Sequence, residues 1–256
     1  MKYNSPIIPI TSHNYYAHYS TDLASLSPYQ LFLRLISSRP ISFHSFLSRL
    51  TPRQHTTPPK YSASYHPRLV STFSQLHLLP LSFIEFVAIT GSTASGSPQT
   101  SDDIDLLIIT KPHRLWLCRL LVFVTFKLHR IPIRSFTSSR PLSLCFNLWL
   151  DSRSLSIPPS RRHLRTASDL ALLRPLFSTS DSHYRLLYQN QWAQKFVAPA
   201  YSHLLSSHFR PTSPTSSSIF ILDGLNLFCF CLQYMFMLPK ITTQTVSLSQ
   251  AFFPPR

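Results

Sequence analysis

Carboxylates are scarce in this chain: 256 residues hold nine Asp and Glu against 24 Lys and Arg, and Glu85 is the single glutamate. Cysteine is scarcer still. The four thiols, Cys118, Cys145, Cys229 and Cys231, lack the paired spacing of a zinc site. Cys118 and Cys145 fall in apolar segments and are expected in the core, while Cys229 and Cys231 make only a lone Cys-x-Cys. No secretory leader opens the sequence, so a reducing cytoplasm is the expected compartment. Twelve histidines are scattered without His-x-x-x-His or any other ligand spacing, and none is assigned a catalytic role. No internal repeat is apparent.

What is abundant bounds the class. A hydrophobic content of 44% supports a globular protein, and the length allows one or two domains with an adequate core. The formal charge is +15, and eleven of the 24 Lys and Arg residues lie between Lys111 and Arg165. Such a patch suits a triphosphate or an RNA backbone. The abundant residues, Ser, Leu, Pro, His, Arg and Phe, have mostly pyrimidine-rich codons, and a skewed coding strand is enough to supply much of that charge. Basicity is therefore discounted as a signature of nucleic-acid binding.

Against this background three acids sit together, Asp102, Asp103 and Asp105, ahead of the apolar run Leu106, Leu107, Ile108 and Ile109. Strand side chains alternate, so Asp103 and Asp105 project from one face of an expected buried strand. Paired carboxylates there repel unless a cation joins them, and hard divalent cations take such oxygen ligands together with phosphates and water. Upstream, the short apolar strand Val87, Ala88, Ile89 and Thr90 ends in Gly91 and Ser92. A glycine there lets backbone approach a ligand, with amides facing phosphate oxygens. The bland alternative makes Asp102 and Asp103 a turn or cap and pairs Asp105 with an arginine. The agreement of strand, glycine turn and spacing favours the metal pair, with Asp102 as a loop residue.

These residues resemble the polymerase-beta-type nucleotidyltransferase superfamily, whose signature is an apolar strand, Gly-Ser, a spacer of this length, and two acids alternating with apolar residues. The likeness covers residues 87–110, with Asp102 standing where an apolar residue is expected. More widely, Leu115, Trp116 and Leu117, the run from Asn147 to Asp151, and Ala251, Phe252 and Phe253 resemble bacterial nucleotidyltransferase-domain proteins. The resemblance implies a Mg²⁺- or Mn²⁺-dependent enzyme that binds a nucleoside triphosphate at Gly91 and Ser92 and holds metal on Asp103 and Asp105. It implies an acceptor hydroxyl on a nucleic acid, a protein or a small molecule, without selecting among them.

The family's third carboxylate is where the chain departs. In the expected strand of residues 144–151, Cys145, Asn147, Trp149 and Asp151 share one face. Asn147 stands at the mid-strand place of the family's acid, and Asp151 lies roughly 13 Å further along. An asparagine keeps a metal ligand but loses a charge and a base. A non-catalytic nucleotide, nucleic-acid or protein binding module is accordingly the alternative function.

The expected architecture is α+β, a nucleotidyltransferase fold in which a small mixed sheet packs against helices. Residues 1–65 are read as a small helical region, with a winged-helix-like form as one option. Residues 66–165 hold the core, and residues 166–256 are mostly helical. Residues 219–238 have the length of a membrane span, but Asp223, Asn226 and Gln233 interrupt them and would be costly in lipid without partners. A packed C-terminal helix is favoured over a membrane anchor.

Overall fold

Runs of Ile, Val, Leu and Phe with no room for an exposed face make the centre of a sheet. In the computed structural model, which describes residues 28–48, 70–72, 74–96, 102–131, 133, 143–179, 181–206, 220–242 and 244–253, Ile84–Ile89 (β1) and Ile104–Thr110 (β2) are the central strands. Their side chains alternate between two separate cores, one on each side of the sheet. Leu144–Asp151 (β3) runs parallel to β2; Arg174–Ser178 (β4), Gln250–Phe252 (β6) and Thr245–Val246 (β5) complete a six-stranded mixed sheet in the order β4-β1-β2-β3-β6-β5. Every neighbouring pair except β2 and β3 is antiparallel. The chain is thus α+β.

Eight α-helices are defined among the described residues: Pro28–Leu33 (α1), Phe43–Leu47 (α2), Gly91–Ser95 (α3), Leu115–Leu128 (α4), Leu164–Ala171 (α5), Ser182–Gln189 (α6), Gln194–Ser206 (α7) and Phe220–Met237 (α8). Helices α4 and α8 cover one face, where Trp116, Cys118, Val122, Phe126, Cys229 and Met237 pack on Val87, Ile108 and Trp149. Helices α5, α6 and α7 cover the other, with Leu170, Leu186, Leu187 and Tyr201 on Phe86, Ala88, Leu107 and Leu150. Proline at 199 breaks the regular hydrogen bonding of α7, and Val197 leaves the helical region (φ −130°, ψ 48°). The groups exposed there join Ser37, which donates to Phe196 O (2.8 Å) and accepts from Ala198 N (2.7 Å). This docks the α1 segment onto α7.

Strands β4, β5 and β6 come from beyond residue 165, so the stretch expected to be mostly helical also supplies three short strands beside α6, α7 and α8. Residues 1–27 and 49–65, which carry most of the winged-helix option, lie outside the described residues. The strict alternation expected of the third strand does not hold in β3. Its pairing with β2 slips between Leu106 and Leu107, which face Phe146 and Leu148, and Asn147 is the extra residue of a β-bulge.

The bulge reverses the parity of everything after it. Leu144 and Phe146 enter the α4 side, Leu148 and Leu150 the α5 side, and Trp149 returns to the α4 side. Cys145, Asn147, Trp149 and Asp151 therefore do not share a face, contrary to strict alternation. Burial among apolar side chains also pushes the Cys118 thiol up, consistent with a core residue and not a nucleophile.

Candidate functional site

Strand β1 ends at Ile89, and the N–H of the next residue, Thr90, donates to Asp105 O on β2 (2.9 Å). The next residue, Gly91, has φ +68°, the left-handed region that favours glycine. A Cβ added there would lie 2.6 Å from Asp105 Oδ2. Ser92 donates from Oγ to Asp102 Oδ2 (2.6 Å), and Ser95 donates from Oγ to Ser92 O (2.7 Å).

Two arginines hold the far end of this turn. Arg174 donates from Nε to Ala94 O (2.6 Å), and Arg34 donates to Ser95 O. Gly96, at φ +83°, closes α3 as a left-handed cap. Cations on these terminal carbonyls complement the helix end. The Gly91–Ser95 turn is thereby fixed to β2 on one side and to β4 and α1 on the other.

On the adjacent strand, Asn147 donates its amide to Asp105 Oδ1 and accepts from Cys145 Sγ at 2.8 Å. Asp105 faces a cleft of about 180 Å³. Thr90, Gly91, Asp105 and Asn147 form its sheet wall, and Arg161, His163, Arg165, Thr166 and Asp169 form the wall opposite. Leu107, Leu148, Ile157, Leu170 and Leu173 make it apolar beneath. Arg161 is steadied by Thr245 Oγ1, which accepts from both Nε and Nη2 at 3.1 Å. His163 is the N-cap of α5, accepting from Thr166 N at 3.4 Å. Asp105, Asn147 and Asp169 are the oxygen donors a hard cation would find there.

Of the residues singled out in the sequence, Gly91, Asp105 and Asn147 meet in this cleft. Ser92 follows directly, its hydroxyl spent on Asp102 in the loop ahead of β2. Asp103 precedes β2 and does not line the cleft; its Oδ1 accepts from Ser143 Oγ at 2.6 Å. Asp151 is placed elsewhere. Its carboxylate, 1% exposed, accepts from His113 N (2.6 Å) and from Arg153 N (3.0 Å), Nε (2.9 Å) and Nη2 (3.2 Å), fixing the turn into α4. The bulge at Asn147 turns it away from the face that carries Asp105.

Asp169 is the cleft residue that the sequence reading missed. Thr166 and Asp169 are three apart and so share a face of α5, but one acid on an amphipathic helix carries no motif. Among the described residues, no three His, Cys, Asp or Glu side chains are grouped to hold a metal ion. Compared with protein-family models, curated proteins and solved structures, the chain matches none.

Proposed function

We propose that this chain is a metal-dependent nucleotidyltransferase that moves a nucleoside monophosphate from a nucleoside triphosphate to a hydroxyl on an acceptor. The observation that carries the reading is the meeting of Gly91, Asp105, Asn147 and Asp169 with Arg161 and Arg165 in one cleft. In this reading the mixed sheet is a nucleotidyltransferase fold: β1, the Gly91–Ser95 turn and β2 are its phosphate and metal elements.

The oxygen donors suit Mg²⁺ or Mn²⁺, which bind through one or two carboxylates and complete their shell with phosphate oxygens and water. Gly91 lets backbone lie directly against Asp105 Oδ2, which occupies the place a side chain would need. Asp105 would hold the ion, joined by the Asn147 side-chain oxygen once that amide turns over from its bonds to Asp105 and Cys145, and the ion would supply charge stabilisation to the phosphates in the transition state.

The rest falls to the chain itself. Arg161 and Arg165 offset phosphate charge from the far wall. The cleft, about 180 Å³ against about 30 Å³ for a water, admits phosphate groups and leaves the nucleoside at its mouth. Asp169, on α5 in the same cleft, would take the proton of the acceptor hydroxyl as that oxygen attacks the α-phosphorus and pyrophosphate leaves. The acceptor is a nucleic-acid end, a protein or a small molecule.

The test is transfer of label from each α-³²P nucleoside triphosphate, with Mg²⁺ or Mn²⁺, to the protein itself or to added RNA. Metal-dependent transfer with pyrophosphate release is expected, and its loss in the Asp103→Asn/Asp105→Asn variant. Transfer that survives in the variant overturns the assignment.

One observation favours a second reading. The Asn147 amide donates to Asp105, so an asparagine stands where the family's acid would stand and satisfies Asp105 without a cation. A protein that binds nucleotide, nucleic acid or a partner protein without turning it over follows from that bond. Triphosphate binding by calorimetry in the absence of any transfer would select it.

A further inference from the structure

Helix α8 turns its polar side chains into the protein, beside Cys229 and Met237, and leaves most of its apolar ones pointing out. Asp223 pairs with Arg114 (2.5 Å). Asn226 Oδ1 accepts from Trp116 N (2.8 Å) and Leu117 N (3.1 Å), capping the start of α4. Gln233 accepts from Arg119 Nη1 (2.5 Å) and donates to Trp116 O (2.8 Å). Each group that would be costly in lipid is thus occupied by α4.

Between residues 220 and 239, no exposed position carries a charged, amide or hydroxyl side chain. Phe220 is 90% exposed, Ile221 80%, Phe228 64%, Met235 74% and Phe236 69%. This apolar face runs the full 18 residues, about 27 Å at 1.5 Å per residue. Monomeric proteins rarely leave so continuous a patch to water.

Charge indicates what covers it. The pairs Arg114 with Asp223 and Arg119 with Gln233 set α4 and α8 side by side in the same direction. At the end where both helices finish, α4 exposes Val124 and Leu128 together with Lys127, His129 and Arg130. The two helices carry no acid other than Asp223, which is turned inward to Arg114. A second copy would bring the same cations with no acid to meet them. A protein interface also carries about one hydrogen bond per 100–200 Å², and the exposed positions between residues 220 and 239 offer no charged, amide or hydroxyl side chain to make them.

We propose that the outer face of α8 lies flat on an anionic lipid bilayer, with Lys127 and Arg130 at the headgroups. Its polar stripe stays on α4, so the helix rests in the interface and does not cross it. The objection raised by the sequence, the cost of Asp223, Asn226 and Gln233 in hydrocarbon, does not apply to a face from which all three are absent.

The chain carries its own probe. Cys231 is exposed on α8, whereas Cys118, Cys145 and Cys229 are buried. Full-length protein labelled at Cys231 with an environment-sensitive fluorophore should shift to the blue with phosphatidylglycerol-containing vesicles, and should sediment with them but not with pure phosphatidylcholine. Phe228→Ser/Leu232→Ser/Phe236→Ser should lower partitioning by about ten-fold or more while circular dichroism shows an intact fold. Lys127→Glu/Arg130→Glu, which leaves the apolar face untouched, should weaken binding, as should added salt. No sedimentation of the wild type with either vesicle, or equal partitioning of the triple-serine variant, overturns the proposal. A concentration-dependent dimer that the serine variant abolishes, without vesicle binding, assigns the face to a second copy instead.

Discussion

The carboxylate of Asp105 fills the space that a side chain on Gly91 would need, with Oδ2 2.6 Å from where a Cβ would stand. Backbone and carboxylate are locked as one unit, because Thr90 N also bonds Asp105 O at 2.9 Å. The glycine is required twice, for its positive φ and for this approach. The Gly91 turn and the acid of β2, fourteen positions apart in sequence, are thus a single structural element.

Gly91→Ala tests that unit. The left-handed backbone alone costs about 1–2 kcal/mol for an alanine, and the new methyl group must displace the Asp105 carboxylate. Denaturant unfolding should show a loss of at least that size. Metal-dependent triphosphate binding, read by calorimetry, should fall further than stability does. A variant with wild-type affinity would detach the turn from the site.

Asn147→Asp places a second carboxylate against Asp105. Both side chains are partly exposed, so the repulsion is screened and should cost about 1–2 kcal/mol without metal. Mg²⁺ should reverse it, since a ligand at ten times its Kd stabilises by about 1.4 kcal/mol. Melting curves with and without 10 mM Mg²⁺ should diverge in the variant and stay closer in the wild type. Equal Mg²⁺ responses would mean that these two positions do not hold the ion together.

How far the sequence carried depended on the range over which its signals act. Strands β1, β2 and β3 were legible because their apolar stretches, residues 87–89 and 106–109 among them, belong in the interior of a sheet. Gly91, Asp105 and Asn147 were legible because strand spacing puts chemistry at fixed intervals. Asp151 was misplaced because a period of two holds only until a bulge, and the extra residue at Asn147 leaves no mark in the composition. Strand β4 was missed for a different reason. It holds Pro175, a residue tolerated only because β4 is an edge strand, and edge position is a tertiary fact. Asp169 was invisible because its partner wall lies across the cleft, some sixty residues away in sequence from Asp105.

Asp169→Asn asks whether the far wall takes part in transfer. A side chain that accepts the acceptor's proton contributes about 10²–10⁴-fold, so kcat/KM should fall at least about 100-fold. The fall should lie mainly in kcat, because Arg161 and Arg165 still meet the phosphates. A rate within about two-fold of wild type would leave Asp169 as part of the wall and nothing more.

Asp151→Asn should do the opposite. The carboxylate is 1% exposed and serves His113 N and Arg153, so neutralising it weakens charge-assisted hydrogen bonds worth about 1.5–3 kcal/mol each. Unfolding should shift by about 2 kcal/mol, moderated because Arg153 is itself 37% exposed. Nucleotide affinity and any transfer should not change, since the bulge directs Asp151 to the face that carries α4 and not the cleft. If the folded variant lost transfer while Asp169→Asn kept it, the third carboxylate would lie at the end of β3, and the cleft wall formed by α5 would serve binding alone.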